Sequence, residues 1–190
     1  MINLKKIAVF ASGSGSNFEA IASACKKGRI NAEVALCVCD HPGAYVTERA
    51  KRLGIPVLEI RQKSFSSKEE YETEILKHLN NLGVELIALA GYMRIIGNVL
   101  LKAYSNRIIN IHPSLLPAFP GVDAIGQALN YGVKVFGVTT HFVDQTLDGG
   151  KIIMQAAIPY DGDDREELEK MIHAREHALY VSTLCHLLSN

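Results

Sequence analysis

Short apolar runs alternate along the first part of the chain with segments whose apolar residues recur at helical spacing. The runs predict five strands, and the spacing between them predicts helices, of which the first carries Phe18, Ile21 and Cys25 on one stripe. Such alternation is typical of β-α-β units, which build a mostly parallel sheet with helices on both faces. The predicted strands are 6–10, 32–39, 55–58, 86–90 and 107–111, and the predicted helices are 17–27, 44–53, 66 or 67 to 80, and 96–103.

The rest of the chain departs from this alternation. After Gly121 come a short helical pattern, two β-rich segments (133–143 and 151–158) around a D-G-G turn, and a closing helix over about 165–188. Two β segments joined by a short turn predict an antiparallel edge. The fold class is therefore α/β, with a mostly parallel, Rossmann-like sheet. Because the sequence contains no linker and no repeat, we expect one domain over residues 1–190.

Composition narrows the classes of partner. The 190 residues are 48% hydrophobic, and 20 basic side chains balance 20 acidic ones. A formal net charge of zero gives no support to a broad nucleic-acid or membrane surface. No apolar run approaches the roughly 20 residues that span a bilayer, and the amino terminus enters a strand pattern without signal-peptide features. The cysteines form no C-x-x-C pair, so we expect buried free thiols at Cys37 and Cys39 and a reducing, cytoplasmic location.

A glycine-rich turn, S-G-S-G-S-N at 12–17, separates the first predicted strand from the first predicted helix. Ligands of open α/β sheets bind beyond the carboxyl ends of the strands, where a helix N-terminus offers unpaired N–H groups to an anion. The residues that could hold a phosphate are Gly13, Gly15, Ser16 and Asn17. A plain β-α turn is one alternative. A dinucleotide site is another, since Asp40 stands where a ribose-binding acid would lie, although Phe18 replaces the third glycine of that motif.

A second candidate site lies at the end of the fifth predicted strand. Asn110 and His112 are two residues apart, so they point the same way in a strand. An amide can stabilise an oxyanion and an imidazole can carry a proton near neutral pH, so the pair predicts a catalytic site. In the later turn, Asp144 or Asp148 could pair with the imidazolium, or both could simply form a hairpin turn. Spacing does not decide between them, and His141 is either a neighbour of this site or a core hydrogen-bonding residue.

Six segments together resemble the phosphoribosylglycinamide formyltransferases, the folate-dependent enzymes of purine biosynthesis. They occur in the order of that family and cover nearly the whole chain. The segments are S-G-S-G-S-N at 12–17, A-G-Y-M-R-I-I at 90–96, N-I-H-P-S-L-L-P at 110–117, H-F-V-D at 141–144, L-D-G-G at 147–150 and R-E-H at 175–177. The N-I-H-P-S-L-L-P and D-G-G segments mark formyltransferases broadly, whereas the glycine-rich loop, G-Y-M-R-I-I and R-E-H point to this family.

The resemblance implies a reaction and a set of residues. The amine of N1-(5-phosphoribosyl)glycinamide would attack the formyl carbon of 10-formyltetrahydrofolate, a co-substrate, and no metal would be required. The implied catalytic residues are Asn110, His112 and Asp148. The implied substrate-binding residues are Gly15, Ser16, Asn17 and Glu176. The implied folate-binding residues are Lys68, Met93, Arg94, Ile95, Ile96, Asn110, Asp144 and Asp148.

The resemblance also implies an organisation and a set of partners. Residues 1–105 would form a phosphate-binding half and residues 106–190 a catalytic half. The partners would be small molecules, without nucleic acid or membrane, and either a monomer or a homodimer is compatible. Two positions depart from the family pattern. Asp123 follows the last proline of the motif where many members have histidine or asparagine nearby, and Lys68 replaces an arginine of some members.

Other classes of protein share part of this sequence pattern. Methionyl-tRNA formyltransferase and formyltetrahydrofolate hydrolase share the central motif but carry an additional domain, which we do not expect in this sequence. A nucleotide-dependent oxidoreductase could use the first β-α-β unit with Asp40 on the ribose, but it leaves the asparagine, histidine and aspartate group unexplained. A non-catalytic module that binds folate or phosphate is the remaining alternative.

Overall fold

The described part of the chain forms a mixed sheet of seven strands with helices on both faces. The structure is a computed structural model that describes residues 4–189, so residues 1–3 and 190 of the predicted domain lie outside the described range. The strands are β1 (Lys5–Ala11), β2 (Ala32–Cys39), β3 (Val57–Glu59), β4 (Leu86–Leu89), β5 (Ile108–His112), β6 (Val135–Phe142) and β7 (Ile152–Pro159). The helices are α1 (Ser16–Lys26), α2 (Tyr45–Arg52), α3 (Lys68–Leu82), α4 (Asn98–Ala103), α5 (Ala124–Tyr131) and α6 (Arg165–Leu188), with a 3₁₀ turn at Gln62–Ser64.

The strand order is β3-β2-β1-β4-β5-β6-β7. Strands β1 to β5 pair in parallel, whereas β6 runs antiparallel to both β5 and β7. The predicted α/β class and antiparallel edge are therefore confirmed. The chain moves outward from β1 to β3 and then returns to place β4 on the other side of β1. This reversal creates a switch point, where ligands of open α/β folds bind beyond the carboxyl ends of the strands.

Alternating side chains of the central strands enter two cores. On β1, Ile7 faces the layer formed by α1, α2, α5 and α6, whereas Phe10 faces α3 and α4, and both are fully buried. Cys37 and Cys39 pack in the first layer as free thiols, as predicted. Burial raises the pKa of Cys37 to about 12, so this thiol stays protonated near neutral pH.

The predicted boundaries agree with the structure to within two residues, and the differences have local causes. The third strand begins after Pro56 because proline has no N–H to give to the ladder. The fourth helix begins later than predicted because Gly97 is extended and donates its N–H to the buried carboxylate of Glu72. Of the two serines considered as helix caps, Ser67 accepts the backbone N–H of Glu70 and caps α3.

Tyr180 joins the last helix to the middle of the sheet. Its side chain is fully buried, and its hydroxyl lies 2.8 Å from the carbonyl oxygen of Leu89 and 3.2 Å from that of Ile109. These carbonyls belong to β4 and to β5, the strand that carries Asn110 and His112. Burial raises the pKa of the Tyr180 hydroxyl, so the group keeps its proton and serves as a donor.

We expect Tyr180→Phe to lower the free energy of unfolding by about 1–2 kcal/mol, because the ring still packs while a buried donor is lost. Chemical denaturation followed by circular dichroism measures this change. Tyr131→Phe is the matched control, since Tyr131 is 80% exposed, and it should alter stability by less than about 0.5 kcal/mol. Equal losses in both variants would contradict the hydrogen bonds assigned to Tyr180.

Candidate active site

Four polar side chains meet where β5, β6 and the loop after β6 come together. Asn110 and His112 lie on β5, His141 lies on β6, and Asp148 lies in the loop between β6 and β7. The pairing of β5 with β6 sets Asn110 opposite His141 and His112 opposite Thr139. Asn110 and His112 share one face of β5, because the residues that alternate with them face the core below α6. The two-residue spacing therefore predicted this juxtaposition.

The His112 ring is buried and has a neighbour at each nitrogen. Nε2 lies 2.9 Å from the carbonyl oxygen of Phe119, so Nε2 carries a hydrogen and donates a hydrogen bond to that oxygen. Nδ1 lies 3.5 Å from Oδ2 of Asp148. The same Oδ2 accepts the backbone N–H of Gly121 at 2.8 Å, which fixes the carboxylate beside the ring. A buried negative charge is thus available to an imidazolium at this position.

The two aspartates of the loop after β6 occupy different positions. Asp144 is exposed, and its Oδ1 accepts the N–H of Thr146 at 2.7 Å, which closes a turn. Asp148 has a left-handed backbone, with φ of 49°, and its side chain is 10% exposed beside His112. The structure therefore brings Asp148 to the imidazole, while Asp144 shapes the loop.

His141 orients the amide of Asn110. Nδ1 of His141 donates to the carbonyl oxygen of Phe142 at 2.9 Å, which leaves Nε2 of the neutral ring as an acceptor. Nδ2 of Asn110 lies 3.3 Å from that Nε2 and donates to it. Burial lowers the pKa of His141, so the ring is neutral near pH 7 and can accept. The amide has a second N–H, which can donate to a ligand. His141 is therefore both a neighbour of the site and a buried hydrogen-bonding residue.

The glycine-rich loop and the first turn of α1 form a second part of the site. Gly15 has φ of 75°, and a Cβ built on it would lie 2.5 Å from Cγ2 of Val46, so a side chain does not fit. The first backbone bond of α1 runs from Glu19 N–H to the Gly15 carbonyl, so the N–H groups of residues 16–18 precede the helical ladder. Such groups at the positive end of a helix dipole suit an anion.

Asn17 on α1 meets Glu176 on α6 beside this loop. Nδ2 of Asn17 donates to Oε2 of Glu176 at 3.2 Å, and both side chains are buried. Oδ1 of Asn17 is buried without a hydrogen-bond partner among residues 4–189. Two of the predicted substrate-binding residues, 159 positions apart in sequence, are therefore in contact.

His173 forms a hydrogen bond to Glu176 that was not predicted from the sequence. It lies one turn before Glu176 on α6, and its Nδ1 donates to Oε2 of Glu176 at 3.0 Å. This hydrogen bond raises the pKa of His173. The signal was present in the sequence, because residues three apart on a helix are neighbours.

We expect Glu176→Gln to lower the pKa of His173 toward its ordinary value of 6.5, because the hydrogen bond to the carboxylate is the main cause of the increase. The chemical shift of the ring protons as a function of pH measures this pKa. A raised pKa in the folded chain means that the pair stabilises the fold below pH 6.5 and that this contribution is lost as the pH rises through the folded pKa.

Glu169→Gln is the matched control, since Glu169 lies on the same helix and raises the pKa of His173 less than Glu176 does. This variant should lower the pKa by a smaller amount. A Glu176→Gln variant whose His173 titrates as in the unaltered chain would contradict the assignment.

An open cleft lies between the loop after β4 and the N-terminus of α3. Met93 and Ile95 are 78% and 71% exposed, so their apolar side chains are free to contact a ligand. Ile96 is 6% exposed and packs in the core below α3 and α4, so only its backbone could face a ligand. Lys68 and Arg94 line the cleft, whose volume is about 360 Å³. Of the implied folate-binding residues, Lys68 and Arg94 therefore line this cleft, while Met93 and Ile95 are exposed on the same loop as Arg94.

Asp40, the candidate ribose acid of a dinucleotide site, is engaged by the protein itself. Its side chain is 4% exposed. One carboxylate oxygen accepts a hydrogen bond from the Ser12 hydroxyl, and the other accepts one from Nε–H of Arg94 at 2.7 Å. Because both oxygens are taken, the geometry does not support the dinucleotide alternative.

Asp123, which departs from the family pattern, serves α5. Its Oδ1 accepts the backbone N–H of Gly126, so Asp123 caps that helix. The same oxygen lies 2.7 Å from Nη2 of Arg165 on α6. Asp123 therefore makes its polar contacts within the protein, with α5 and α6.

Within residues 4–189, no three histidine, cysteine, aspartate or glutamate side chains are grouped so that they could hold a metal ion. None of the helices described there combines the length and the apolar character needed to cross a bilayer.

The sequence of this chain from residue 5 to residue 184 matches the formyl transferase family, and the chain belongs to that family of transferase enzymes. It is 54% identical over 186 residues to phosphoribosylglycinamide formyltransferase of Bacillus subtilis (strain 168), covering 97% of this chain and 95% of that protein. It is 37% identical to the protein of the same name from Escherichia coli (strain K12), covering 92% of this chain and 82% of that protein.

A solved structure supports the same relationship. The crystal structure of glycinamide ribonucleotide transformylase 1 from Geobacillus kaustophilus matches this fold with a TM-score of 0.95 at 53% identity, covering 98% of this chain and 100% of that one. The family resemblance recognised in the sequence motifs is therefore confirmed.

Proposed function

We propose that this chain transfers the formyl group of 10-formyltetrahydrofolate to the amine of N1-(5-phosphoribosyl)glycinamide, a step of purine biosynthesis. The observation that carries the proposal is the cluster of Asn110, His112 and Asp148 on the same sheet edge as the glycine-rich loop at the start of α1. A relative with 54% identity bears the name of this enzyme. Residues 1–105 would hold the phosphate, and residues 106–190 would supply the reacting groups.

The phosphate of the ribonucleotide would bind at the N-terminus of α1. Backbone N–H groups of Gly15, Ser16 and Asn17 would donate to it, so no lysine is required. Glu176 would accept hydrogen bonds from the ribose hydroxyls, because its contact with Asn17 places it beside the phosphate-binding loop. Strands β1, β4 and β5 are neighbours, so the loop and His112 are separated by two strand spacings, about 10 Å. A phosphoribosyl group with a glycinamide arm can bridge such a distance.

The folate would lie in the cleft beside the loop after β4. The exposed apolar side chains of this loop would contact its ring system, and Lys68 would face the carboxylates of its tail. The loop after β6 would close the other side. The folate-binding residues of this proposal are Lys68, Met93, Arg94, Ile95, Ile96, Asn110, Asp144 and Asp148.

The reaction would proceed by direct attack of the amine on the formyl carbon. The electrons of the C=O double bond move to oxygen, and the second N–H of Asn110 together with a protonated His112 stabilise the resulting oxyanion. Asp148, 3.5 Å from Nδ1, offsets the positive charge of the ring. When the intermediate collapses, the folate nitrogen leaves and gains a proton while the amine loses one. Positioning accounts for this chemistry without a covalent enzyme intermediate or a metal.

An assay of the purified protein with both substrates tests the function. We expect tetrahydrofolate and formylated ribonucleotide in equal amounts, and no loss of 10-formyltetrahydrofolate when the ribonucleotide is omitted. His112→Ala should lower kcat by about 100-fold or more, because it removes both a donor and a proton carrier. His186→Ala is the matched control, since His186 is exposed near the end of α6. Turnover without the ribonucleotide would indicate a hydrolase and contradict the proposal.

Gly15→Ala tests the phosphate site. The added methyl group would meet Val46 in a backbone conformation that disfavours side chains, so the loop must move. We expect KM for the ribonucleotide to rise by about tenfold, the loss of one good hydrogen bond, with a smaller change in KM for the folate. Gly28→Ala is the matched control, because Gly28 also has a positive φ of 68° but faces open space. Equal increases in both KM values would argue against the phosphate site.

A further inference from the structure

A hydrogen-bonded network joins the loops that follow β1, β2 and β4 at the switch point. Ser12 follows β1, Asp40 follows β2, and Gly91, Met93 and Arg94 follow β4. The N–H of Met93 donates to Oγ of Ser12 at 2.8 Å, and that hydroxyl donates to Oδ1 of Asp40. Nε of Arg94 donates to Oδ2 of Asp40 at 2.7 Å, and the N–H of Ser12 donates to the carbonyl of Gly91 at 3.1 Å.

The burial of Asp40 makes these contacts strong. A carboxylate that is 4% exposed is stable in its charged form only if hydrogen-bond donors replace water. Arg94 supplies the charge and Ser12 supplies a hydroxyl, so both oxygens are satisfied. Bonds to an ionised acceptor are stronger than bonds between neutral groups. Asp40 therefore holds the loop after β4 at two successive residues: the backbone N–H of Met93 by way of Ser12, and the side chain of Arg94 directly.

The same loop is fixed from its other side. The hydroxyls of Tyr92 and Tyr71 lie 2.6 Å apart, and the ring of Tyr92 packs edge-on against Phe10 at 5.2 Å between centroids. The loop thus has a restrained backbone, whereas Met93 and Ile95 remain exposed. Restrained backbone with free apolar side chains is the form of a pre-organised binding surface, which lowers the entropy lost on binding.

We propose that Asp40 and Ser12 are positioning residues that hold the folate-binding loop after β4 in a fixed place relative to the phosphate-binding loop. Asp40 acts through Arg94 and Met93 and need not touch either ligand. This inference rests on the proposed function for the identity of the two ligands. The network itself is independent of that identity, because it consists of contacts within the protein.

Steady-state kinetics of Asp40→Asn test the inference. The variant keeps the shape of the side chain but loses its charge, so KM for 10-formyltetrahydrofolate should rise by about tenfold, the loss of one charge-assisted hydrogen bond. KM for the ribonucleotide and kcat should each change by less than about threefold. Equal increases in both KM values, or an unchanged KM for the folate, would overturn the inference.

Two further variants separate positioning from general damage to the fold. Ser12→Ala should raise KM for the folate, and Ser12→Thr, which keeps the hydroxyl, should restore it. Glu59→Gln is the matched control, because Glu59 ends the neighbouring strand β3 and accepts the N–H of Gly43 at 2.9 Å rather than a group of the loop after β4. A change of the folate KM in Glu59→Gln as large as in Asp40→Asn would count against the network.

Amide hydrogen exchange gives a readout that does not depend on activity. In Asp40→Asn, the amide of Met93 should exchange at least about tenfold faster than in the unaltered chain, because the Ser12 hydroxyl that accepts its N–H is no longer held by a carboxylate, while α6 should not change. Unchanged exchange at this amide would overturn the inference even if the enzyme is active. Lack of turnover in the unaltered chain would instead refute the proposed function. The exchange result would still show whether Asp40 restrains the loop after β4.

Discussion

Strand β1 lies between β2 and β4, and this arrangement places every candidate ligand site of the chain on one edge of the sheet. The first residues of the loops after β1 and β4 are hydrogen-bonded to each other, but the helices that follow these strands pack on opposite faces of the sheet, so a crevice opens beyond the strand ends. The N–H groups at the start of α1 reach this crevice from one side, and the side chains at the end of β5 reach it from the other. A parallel sheet with this order therefore brings the glycine-rich loop and the polar side chains at the end of β5 to one edge without any long insertion.

Buried side chains form hydrogen bonds with the strands and loops that line this polar crevice. Tyr180 anchors α6 to the carbonyls of β4 and β5, and Glu176 on the same helix holds Asn17 beside the glycine-rich loop. On the other side of β1, Asp40 restrains the loop after β4. The buried polar groups of Tyr180, Glu176 and Asp40 have hydrogen-bond partners within the protein, which offsets the cost of burying them beside the core.

Signals that act over a few residues could be predicted from the sequence, whereas contacts between distant segments could not. The period of two placed Asn110 and His112 on one face of a strand, and the structure agrees. The choice of Asp148 over Asp144 depends on the path of a loop and on a bond to a backbone N–H 27 residues away, which spacing does not reveal. Asp40 was considered as a ribose-binding acid because of its place after β2, yet its partner lies 54 residues away on another loop.

The neutral state of His141 has a consequence for the behaviour of the chain in acid. Burial lowers the pKa of this ring below 6.5, so as the pH falls below that value the unfolded chain takes up a proton that the folded chain resists. Acid therefore favours unfolding through this residue until the pH passes below the folded pKa, where the ring must accept the proton. A protonated ring would donate from both nitrogens and could no longer accept from Asn110, so the amide would have to rotate and present its oxygen instead. Acid inactivation would then begin with the rotation of the Asn110 amide, before the sheet unfolds.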